Sequence, residues 1–376
     1  MTGSTQLPSE ATVFGSGAGA LTIAAELGLK GVSVTVADFP EFFPLLRIVA
    51  ARGSVEYRCD WHGSAMAPIA GVSDDPAAAA RAASLLIVSV PSFGHVPFAE
   101  ALAPALQDGQ TLLWAGEGGG AFTTVAALRR LGRRPALLLG ETNTLPYGTR
   151  VKAPGAVAAF RKLGGCLVAA LPSGRRGEIL SVASHIWPWV SGAESAWETL
   201  LLNYNAIDHV ATLLCNLGSV EGRTGKMLLW GEGATPGVVN AIEAVDGELL
   251  ALREGLGISN RRGYIEYLVE QGLVESMKGS LHETIHASQL GAAPFPCGPA
   301  ALQSRYLTED VPYALVLASS IGDEIGVETP LIDGLIALAS AVTKRDWRAA
   351  GRTLLDWGLA DVGLEGLRRA GEEGWW

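Results

Sequence analysis

The 376-residue sequence predicts an N-terminal α/β domain followed by an all-α domain. In the first half, short β-type runs alternate with helical periods, which is the order that builds a parallel sheet covered by helices. Beyond about residue 190 the β-type runs end, and apolar residues recur at intervals of three and four. We therefore place a disordered tail at residues 1–10, the α/β domain at residues 11–190 and the helical domain at residues 191–376.

Composition narrows the classes of partner. The chain is 48% apolar, which supplies two substantial cores, and its net charge of −10 comes without any lysine- or arginine-rich block. These values argue against nucleic acid or an anionic membrane and favour a small-molecule partner. Four cysteines without CxxC spacing, and no visible signal peptide or membrane-spanning run, predict a soluble cytoplasmic protein with reduced thiols.

A glycine-rich turn links the first predicted strand, Ala11–Phe14, to a predicted helix, Leu21–Leu29. In dinucleotide-binding βαβ units the first glycine permits the tight turn, the second lets a pyrophosphate approach the backbone, and a small third residue lets helix pack on strand. The helix N-terminus then offers its free N–H groups to the phosphates. The sequence therefore predicts a Rossmann domain whose cofactor-binding turn comprises Gly15, Ser16, Gly17, Ala18, Gly19 and Ala20.

The predicted second strand, Val32–Ala37, ends in Asp38. A carboxylate there accepts hydrogen bonds from the adenosine ribose hydroxyls and repels a 2′-phosphate, so it favours NAD. Arg47 lies within reach in sequence and is able to bind a phosphate, so NADP stays open.

Further strands are predicted at Ser84–Val90, Thr111–Ala115 and Ala136–Leu139. Because ligands bind beyond the carboxyl ends of parallel strands, we expect the residues after these strands to line the nicotinamide side. Val90, Pro91 and Ser92 are assigned to the cofactor on this ground. We also expect Val151–Phe160 and Cys166–Leu171 to pair as strands at the far edge of the sheet, with a helix from Gly177 to His185.

A polar stripe crosses the first predicted helix of the second domain, Ala196–Gly218. Asn205 and His209 are four residues apart and share one face of that helix. One interpretation is a core histidine and asparagine that hydrogen-bond to a neighbouring element. The other is a catalytic acid/base with an amide beside it, because histidine exchanges protons near neutral pH. The remaining helices are predicted at Gly237–Leu256, Ser259–Gly272, Val311–Gly326, Pro330–Ala341, Trp347–Leu354 and Leu364–Glu372.

Arg305 and Asp310 precede another of these helices, Val311–Gly326. A proline in the first turn places Asp310 at or near the N-cap, and capping alone would explain an aspartate there. Alternatively, Asp310 holds one ring nitrogen of His209 while Arg305 binds a substrate carboxylate. Asp208 is not expected to be that partner, because adjacent helical residues point about 100° apart.

The segment His282–His286 matches HExxH, a pattern that places two zinc ligands and a general base on one helix. Glycines and a proline flank it closely, and no third ligand follows at a typical spacing. We therefore predict a short polar helix and no metal site.

Several segments in this order resemble the opine dehydrogenases, the octopine/nopaline dehydrogenase group, over residues 11 to about 360. They are the Gly15–Ala20 turn, the Val90–His95 loop, the Glu141–Arg150 segment, Asn205 with His209, and Arg305 with Glu309–Pro312 and Thr329–Ile332. Some family members carry bulkier or differently charged residues around positions 141–150. The resemblance therefore implies no particular amino donor.

The resemblance implies that His209 is the catalytic acid/base and that Asp310 is its carboxylate partner. It also implies a substrate site formed by Asn205, Arg305, Glu141 and Thr142, with Arg305 binding the carboxylate of the keto acid. The implied architecture is a Rossmann domain followed by a helical domain of the 6-phosphogluconate-dehydrogenase type, with the site in the cleft between them. We also expect a homodimer.

The activity implied is an NAD(P)H-dependent reductive condensation of an α-keto acid, such as pyruvate, with the amino group of an amino acid through an imine. The alternative enzyme is a two-domain 2-hydroxy-acid or ketopantoate-type dehydrogenase, which usually relies on a lysine in the helical domain. Lys226 and Lys278 are the few candidates, and neither lies on the Asn205–His209 face. A non-enzymatic dinucleotide-binding module is the third interpretation.

Overall fold

The computed structural model describes residues 7–61, 63–222, 227–288, 290–291, 296–297 and 299–375. The chain forms two compact units, one ending at Leu200 and rejoined by the chain from Arg369 onward, the other spanning Leu201–Arg368. The strands of the first unit are β1 (Glu10–Phe14), β2 (Ser33–Ala37), β3 (Ser54–Cys59), β4 (Gly63–Pro68), β5 (Gly71–Ser73), β6 (Leu85–Val88), β7 (Thr111–Trp114), β8 (Leu138–Thr142), β9 (Tyr147–Ala153), β10 (Ala156–Lys162), β11 (Leu167–Ala170) and β12 (Ser191–Gly192).

Eight of these strands form the main sheet, in the order β12-β11-β8-β7-β6-β1-β2-β5. Its six strands from β5 to β8 are parallel and follow the 3-2-1-4-5-6 order of a doubly wound dinucleotide-binding fold, which confirms the predicted Rossmann domain. The order reverses between β1 and β6, where Phe14 pairs with Val88. Ligands bind such sheets at this switch point, so the turns after β1 and β6 are placed to meet a cofactor.

Helices cover the sheet, and its central strands are buried on both faces, as their valine- and leucine-rich runs predict. The helices of this unit are α1 (Ala18–Leu29), α2 (Phe43–Arg52), α3 (Pro76–Arg81), α4 (His95–Leu102), α5 (Gly120–Arg130) and α6 (Arg176–Ile186), with single 3₁₀ turns at Ser92–Gly94 and Ser173–Arg175.

The predicted pairing of Val151–Phe160 with Cys166–Leu171 is wrong. Residues 147–162 instead fold back on themselves as the antiparallel pair β9 and β10, which forms a second sheet in the order β4-β3-β10-β9. The later run becomes β11 and pairs antiparallel with β8 in the main sheet. Pro154-Gly155 is a tight turn with φ +67° at the glycine, a hairpin signal within a run that was assigned to one strand.

The second unit is helical, as predicted. Helices α7 (Ala196–Leu201) and α17 (Gly363–Glu373) each include residues of both units. The helices between them are α8 (Tyr204–Cys215), α9 (Leu217–Gly222), α10 (Pro236–Leu256), α11 (Tyr264–Glu270), α12 (Leu281–His286), α13 (Arg305–Thr308), α14 (Val316–Ile325), α15 (Pro330–Thr343) and α16 (Trp347–Ala350). A π-helical turn at Val311–Leu315 and 3₁₀ turns at Pro299–Gln303 and Leu354–Trp357 connect them, and β13 (Met227–Leu228) pairs with β14 (Pro296–Cys297). None of the helices in the described ranges has the length and apolarity needed to cross a bilayer.

The single helix predicted for Ala196–Gly218 is instead three helices, α7, α8 and α9. The first break falls at Asn203, whose side-chain oxygen accepts a hydrogen bond from the N–H of Asn205 at 3.2 Å and begins α8. Asparagine competes for backbone hydrogen bonds and favours helix starts, which overrides the apolar periodicity on both sides.

We expect Asn203→Ala to lower the free energy of unfolding of the second unit by about 1 kcal/mol, because the start of α8 loses its cap. Asn203→Asp keeps a capping oxygen and serves as the control. Thermal and urea denaturation followed by circular dichroism would measure the difference. Equal stability of the Ala and Asp variants would contradict the capping role.

Candidate active site

The glycine-rich turn and the end of β6 meet at the switch point of the sheet. Gly15 adopts φ +114°, and a Cβ built on it would lie 2.6 Å from the carbonyl oxygen of Ser89 and 3.0 Å from Val90. The N–H of Gly15 donates to Ala37 at the end of β2. Only glycine fits here, where the ends of β1, β2 and β6 lie close together and the backbone has a positive φ.

The turn fits a dinucleotide phosphate. Gly17 is the N-cap of α1, and a Cβ built on it meets no described atom within 4 Å, so the space beside the helix start is open. Helix α1 has no side-chain cap and no acidic residue in its first turn. No carboxylate of its own first turn therefore competes for its N–H groups, as phosphate binding requires. Ala18, Gly19 and Ala20 complete the first turn, with Gly19 close against Ser89.

Asp38 follows β2 directly, as the sequence predicts. Burial raises the pKa of its carboxyl group, and hydrogen bonds from Ser16 and the N–H of Phe39 oppose that shift. The carboxylate is thus held in place beside the glycine turn. This position fits the predicted contact with the adenosine ribose.

After β6, Val90 and Pro91 are half-buried while Ser92 is buried and donates to Glu117 at 2.9 Å. Ser92 is thus fixed by a carboxylate at the end of the neighbouring strand β7. Its assignment to the cofactor, like those of Val90 and Pro91, stays a prediction.

Glu141 and Thr142 end β8 as buried side chains with structural partners. Glu141 Oε2 accepts from the N–H groups of Gly119 and Ala121, both at 2.9 Å, and Oε1 accepts from Thr199 at 3.0 Å. The carboxylate therefore caps the N-terminus of α5. Thr142 donates to the carbonyl of the residue two positions on, at 2.8 Å. Their predicted contact with substrate stays a prediction, and both side chains are fully buried in the described structure.

In the second unit, Asp310 contacts His209 across 101 positions of sequence. Asp310 Oδ2 lies 2.9 Å from His209 Nδ1, within hydrogen-bond distance. The side chain of His209 is 16% exposed and that of Asp310 is 4% exposed. Nδ1 is thereby engaged, and the other ring nitrogen, Nε2, stays available for a further contact.

The hydrogen bonds of Asp310 do not support the alternative that it is only a helix cap. Asp310 stands at the N-cap of the π-helical turn, yet its carboxylate accepts no capping hydrogen bond from the described residues of that turn. It turns toward His209 instead. The predicted contact between the two side chains is therefore present.

Asp208 also lies beside His209, although it is too far from the ring for a hydrogen bond, as the helical spacing predicts. Its Oδ1 is 3.9 Å from His209 Nε2, while its Oδ2 accepts from Trp230 Nε1 at 3.1 Å and from the Tyr264 hydroxyl at 2.7 Å. Adjacent Cβ atoms diverge on a helix, but these two donors hold the carboxylate on the side of the ring. No sequence pattern indicates either donor.

Aromatic side chains flank the imidazole. Tyr306 stacks on His209 with ring centroids 4.0 Å apart, and the Trp230 ring lies 5.9 Å away. Tyr306 is adjacent in sequence to a predicted site residue, so a search of that residue's neighbours for aromatics would have found it. Trp230 carries no such signal.

Arg305 and Asn205 lie near this cluster in sequence and on the fold. Arg305 forms an ion pair with Glu309, one turn later; the guanidinium is exposed and the carboxylate is buried. Asn205 is half-buried on α8, one turn before His209 and on the same face. The guanidinium is thus anchored at one edge and open to solvent, which suits binding of an anion.

Burial shifts the proton affinities of this cluster. It raises the pKa values of Asp310 and Asp208 and lowers the pKa of His209, while Asp208 opposes the last shift. Strongly shifted pKa values of neighbouring titratable groups are typical of functional sites.

The HExxH segment forms the short helix α12. Glu283 closes a capping box with Ser280, and the two ring nitrogens of His286 lie near the carbonyl oxygens of His282 and Gly231. The described residues contain no cluster of three potential metal-binding side chains. Lys226, a candidate for the alternative enzyme, lies outside the described residues.

Known proteins resemble the chain over nearly its whole length. Residues 192–343 match the family described as NAD/NADP octopine/nopaline dehydrogenase, alpha-helical domain. An opine dehydrogenase of Arthrobacter sp. (strain 1C) is 30% identical over 366 residues, which cover 96% of this chain and 98% of the relative. An octopine dehydrogenase structure with NADH and L-arginine has a TM-score of 0.79 at 19% identity, with 96% and 98% of the two chains covered. A yersinopine dehydrogenase bound to NADP⁺ has a TM-score of 0.75 at 13% identity, with 98% of each chain covered.

With the fold and the site described above, these similarities define an NAD(P)-dependent oxidoreductase that acts on CH–NH groups. The chain belongs to the opine dehydrogenase family. It carries out the NAD(P)H-dependent reductive condensation of an α-keto acid with an amino acid, which confirms the first of the two activities inferred from the sequence.

The raised pKa of Asp310 predicts how the stability of the protein depends on pH. A carboxyl group whose folded pKa is raised contributes stability below its unfolded pKa, about 4, and loses that contribution as the pH rises through the folded value. We expect Asp310→Asn to be at least as stable as the native protein at neutral pH. Its advantage should shrink as the pH falls toward about 4. Melting temperatures measured across this range test the expectation.

Asp333→Asn is a control of opposite sign. Burial opposes the shift, but hydrogen bonds from Ser319 and Arg348 prevail and lower the pKa of Asp333. This variant should lose stability at neutral pH and recover relative to the native protein in acid. A constant deficit of Asp310→Asn at every pH would contradict the assigned shift.

Proposed function

We propose that His209 is the acid/base of the condensation and that Asp310 orients it. The observation that supports this most directly is the 2.9 Å contact between His209 Nδ1 and Asp310 Oδ2, in place of a capping bond. Nε2 of the oriented ring accepts a proton from the α-ammonium group of the amino acid. The free amine then adds to the keto carbon as the C=O π bond breaks, and a proton moves from the nitrogen to the former keto oxygen. Nε2–H gives its proton to the resulting hydroxyl, the C–O bond breaks, and water leaves as the C=N bond of the imine forms.

The substrate carboxylates need cationic partners. We propose that the exposed edge of Arg305 binds the carboxylate of the keto acid while Glu309 fixes the other edge. Asn205, on the same face as His209, hydrogen-bonds to the reacting substrate. Pyruvate is the proposed keto acid. An octopine dehydrogenase structure in complex with NADH and pyruvate is a relative by fold.

The cofactor-binding residues proposed are the Gly15–Ala20 turn for the pyrophosphate, Asp38 for the adenosine ribose, and Val90, Pro91 and Ser92 beyond β6. NADH supplies a hydride to the imine carbon when it is bound. The carboxylate of Asp38 favours NADH over NADPH, because it repels a 2′-phosphate. We also propose a cytoplasmic location, which accords with the absence of a disulfide at Cys59, Cys166 and Cys215. A homodimer stays a prediction.

His209→Gln tests the acid/base role. Positioned proton transfer is typically worth about 10²–10⁴-fold, so the turnover of NADH with pyruvate and a panel of amino acids should fall by that order. NADH affinity, measured by fluorescence titration, should stay unchanged, because the proposed cofactor residues lie in the other unit. His286→Gln, a second histidine of the helical unit, is the matched control and should keep native turnover. Near-native turnover of His209→Gln would overturn the proposal.

Arg305→Lys tests carboxylate binding. An ammonium group cannot reproduce the two-pronged contact, so we expect the KM for the keto acid to rise about tenfold, with a smaller change in kcat. Arg348→Lys alters an exposed arginine of the same unit that pairs with Asp333, and it should leave the KM unchanged. Equal KM values for both variants would remove Arg305 from the substrate site.

A further inference from the structure

Asp208 faces the edge of His209 opposite Asp310. Its Oδ1 lies 3.9 Å from Nε2, whereas Asp310 Oδ2 lies 2.9 Å from Nδ1. The two nitrogens are at different edges of the ring, so a carboxylate flanks the imidazole on each side. Only the contact with Asp310 is short enough for a hydrogen bond.

The orientation of Asp208 is fixed by donors on one oxygen only. Trp230 Nε1 and the Tyr264 hydroxyl both donate to Oδ2, at 3.1 and 2.7 Å. Oδ1 is buried and has no hydrogen-bond partner among the described residues. A buried carboxylate oxygen left unpaired is unfavourable for folding, so its persistence here calls for a functional explanation.

We propose that Asp208 is a positioning residue that stabilises the imidazolium form of His209 during turnover. The inference rests on the proposed acid/base role of His209. At 3.9 Å the carboxylate attracts the charged ring, yet it is too far away to compete with a substrate for Nε2. Because Oδ1 is buried, Asp208 acts through His209 and does not contact the substrate itself.

Asp310 engages Nδ1 of His209, and Asp208 is the carboxylate beside Nε2. Arg305 lowers the pKa of His209 and Glu309 raises it, and these two pair with each other. Three charged groups on helices packed against α8 have partners elsewhere: Arg253 donates to the carbonyl of Leu201, Asp246 accepts from the N–H of Tyr264, and Asp333 pairs with Arg348. Asp208 is the group that counters the effect of burial most strongly.

Asp208→Asn removes the charge and keeps an oxygen that accepts from Trp230 and Tyr264. In protein labelled with ¹⁵N-histidine, the His209 ring signals, assigned by their absence in His209→Gln, report the pKa without any substrate or cofactor. We expect Asp208→Asn to lower this pKa by about one unit or more, as loss of a close opposite charge does. The acid limb of the kcat/KM profile, measured in the direction of opine oxidation, should move to lower pH by the same amount.

Asp246→Asn is the matched control, since Asp246 also has a buried, unpaired Oδ1 but holds the backbone of Tyr264. It should leave both readouts unchanged, and melting temperatures establish that both variants fold. An unchanged His209 pKa in Asp208→Asn overturns the inference, as does an equal shift in Asp246→Asn. A shifted pKa with an unmoved acid limb also overturns it. Native turnover in His209→Gln identifies the proposed function itself as the part that fails.

Discussion

The second unit buries the imidazole ring of His209 between two carboxylates, an arrangement whose desolvation is energetically unfavourable. An isolated charge is rarely buried in a protein, because an apolar core offers no interaction that replaces the lost hydration. Here Asp310 engages one nitrogen, Asp208 stands near the other, and the rings of Tyr306 and Trp230 flank the ring. Burial raises the pKa values of both carboxyl groups and lowers the pKa of the imidazole, and Asp208 opposes the shift of His209.

Holding those groups together constrains a large part of the helical unit. His209 comes from α8 and Asp310 from the π-helical turn before α14, while the donors that fix Asp208 come from α11 and from the segment before α10. The π-helical turn is the place where regular helix geometry gives way, which agrees with the tendency of such turns to occur at functional sites. Asn203 contributes earlier in the chain, since capping α8 there fixes where the helix begins and hence which face His209 occupies.

The parts of this protein that the sequence predicted are those set by short-range pattern. The GxGxxA turn, the strand before it and Asp38 eighteen residues after Ala20 each follow from local backbone needs, and they predicted the Rossmann half. The pairing of strands was not local. Residues 147–162 form a hairpin in a second sheet because β3 offers β10 a parallel edge, and no period within the run reveals that neighbour. The same limit explains why Trp230 and Tyr264 were not predicted. In the sequence they resemble ordinary core aromatics, and only the fold places their N–H and O–H groups beside Asp208.

The buried carboxylates of this chain differ in the groups that they contact. Glu141 accepts from two N–H groups at the start of α5, and Glu248 accepts from the N–H groups of Leu331 and Ile332 at the start of α15, at 2.7 and 2.9 Å. Both are satisfied by helix N-termini, the partners that stabilise an ionised carboxylate best, and both hold elements in place. Asp208 and Asp310 have no helix N-terminus as a partner within the described residues. Asp208 accepts hydrogen bonds from the Trp230 and Tyr264 side chains, and both Asp208 and Asp310 lie beside the titratable ring of His209. A buried acid with fixed backbone donors is therefore part of the scaffold, whereas the two acids beside His209 lie where the charge of that ring acts on them directly.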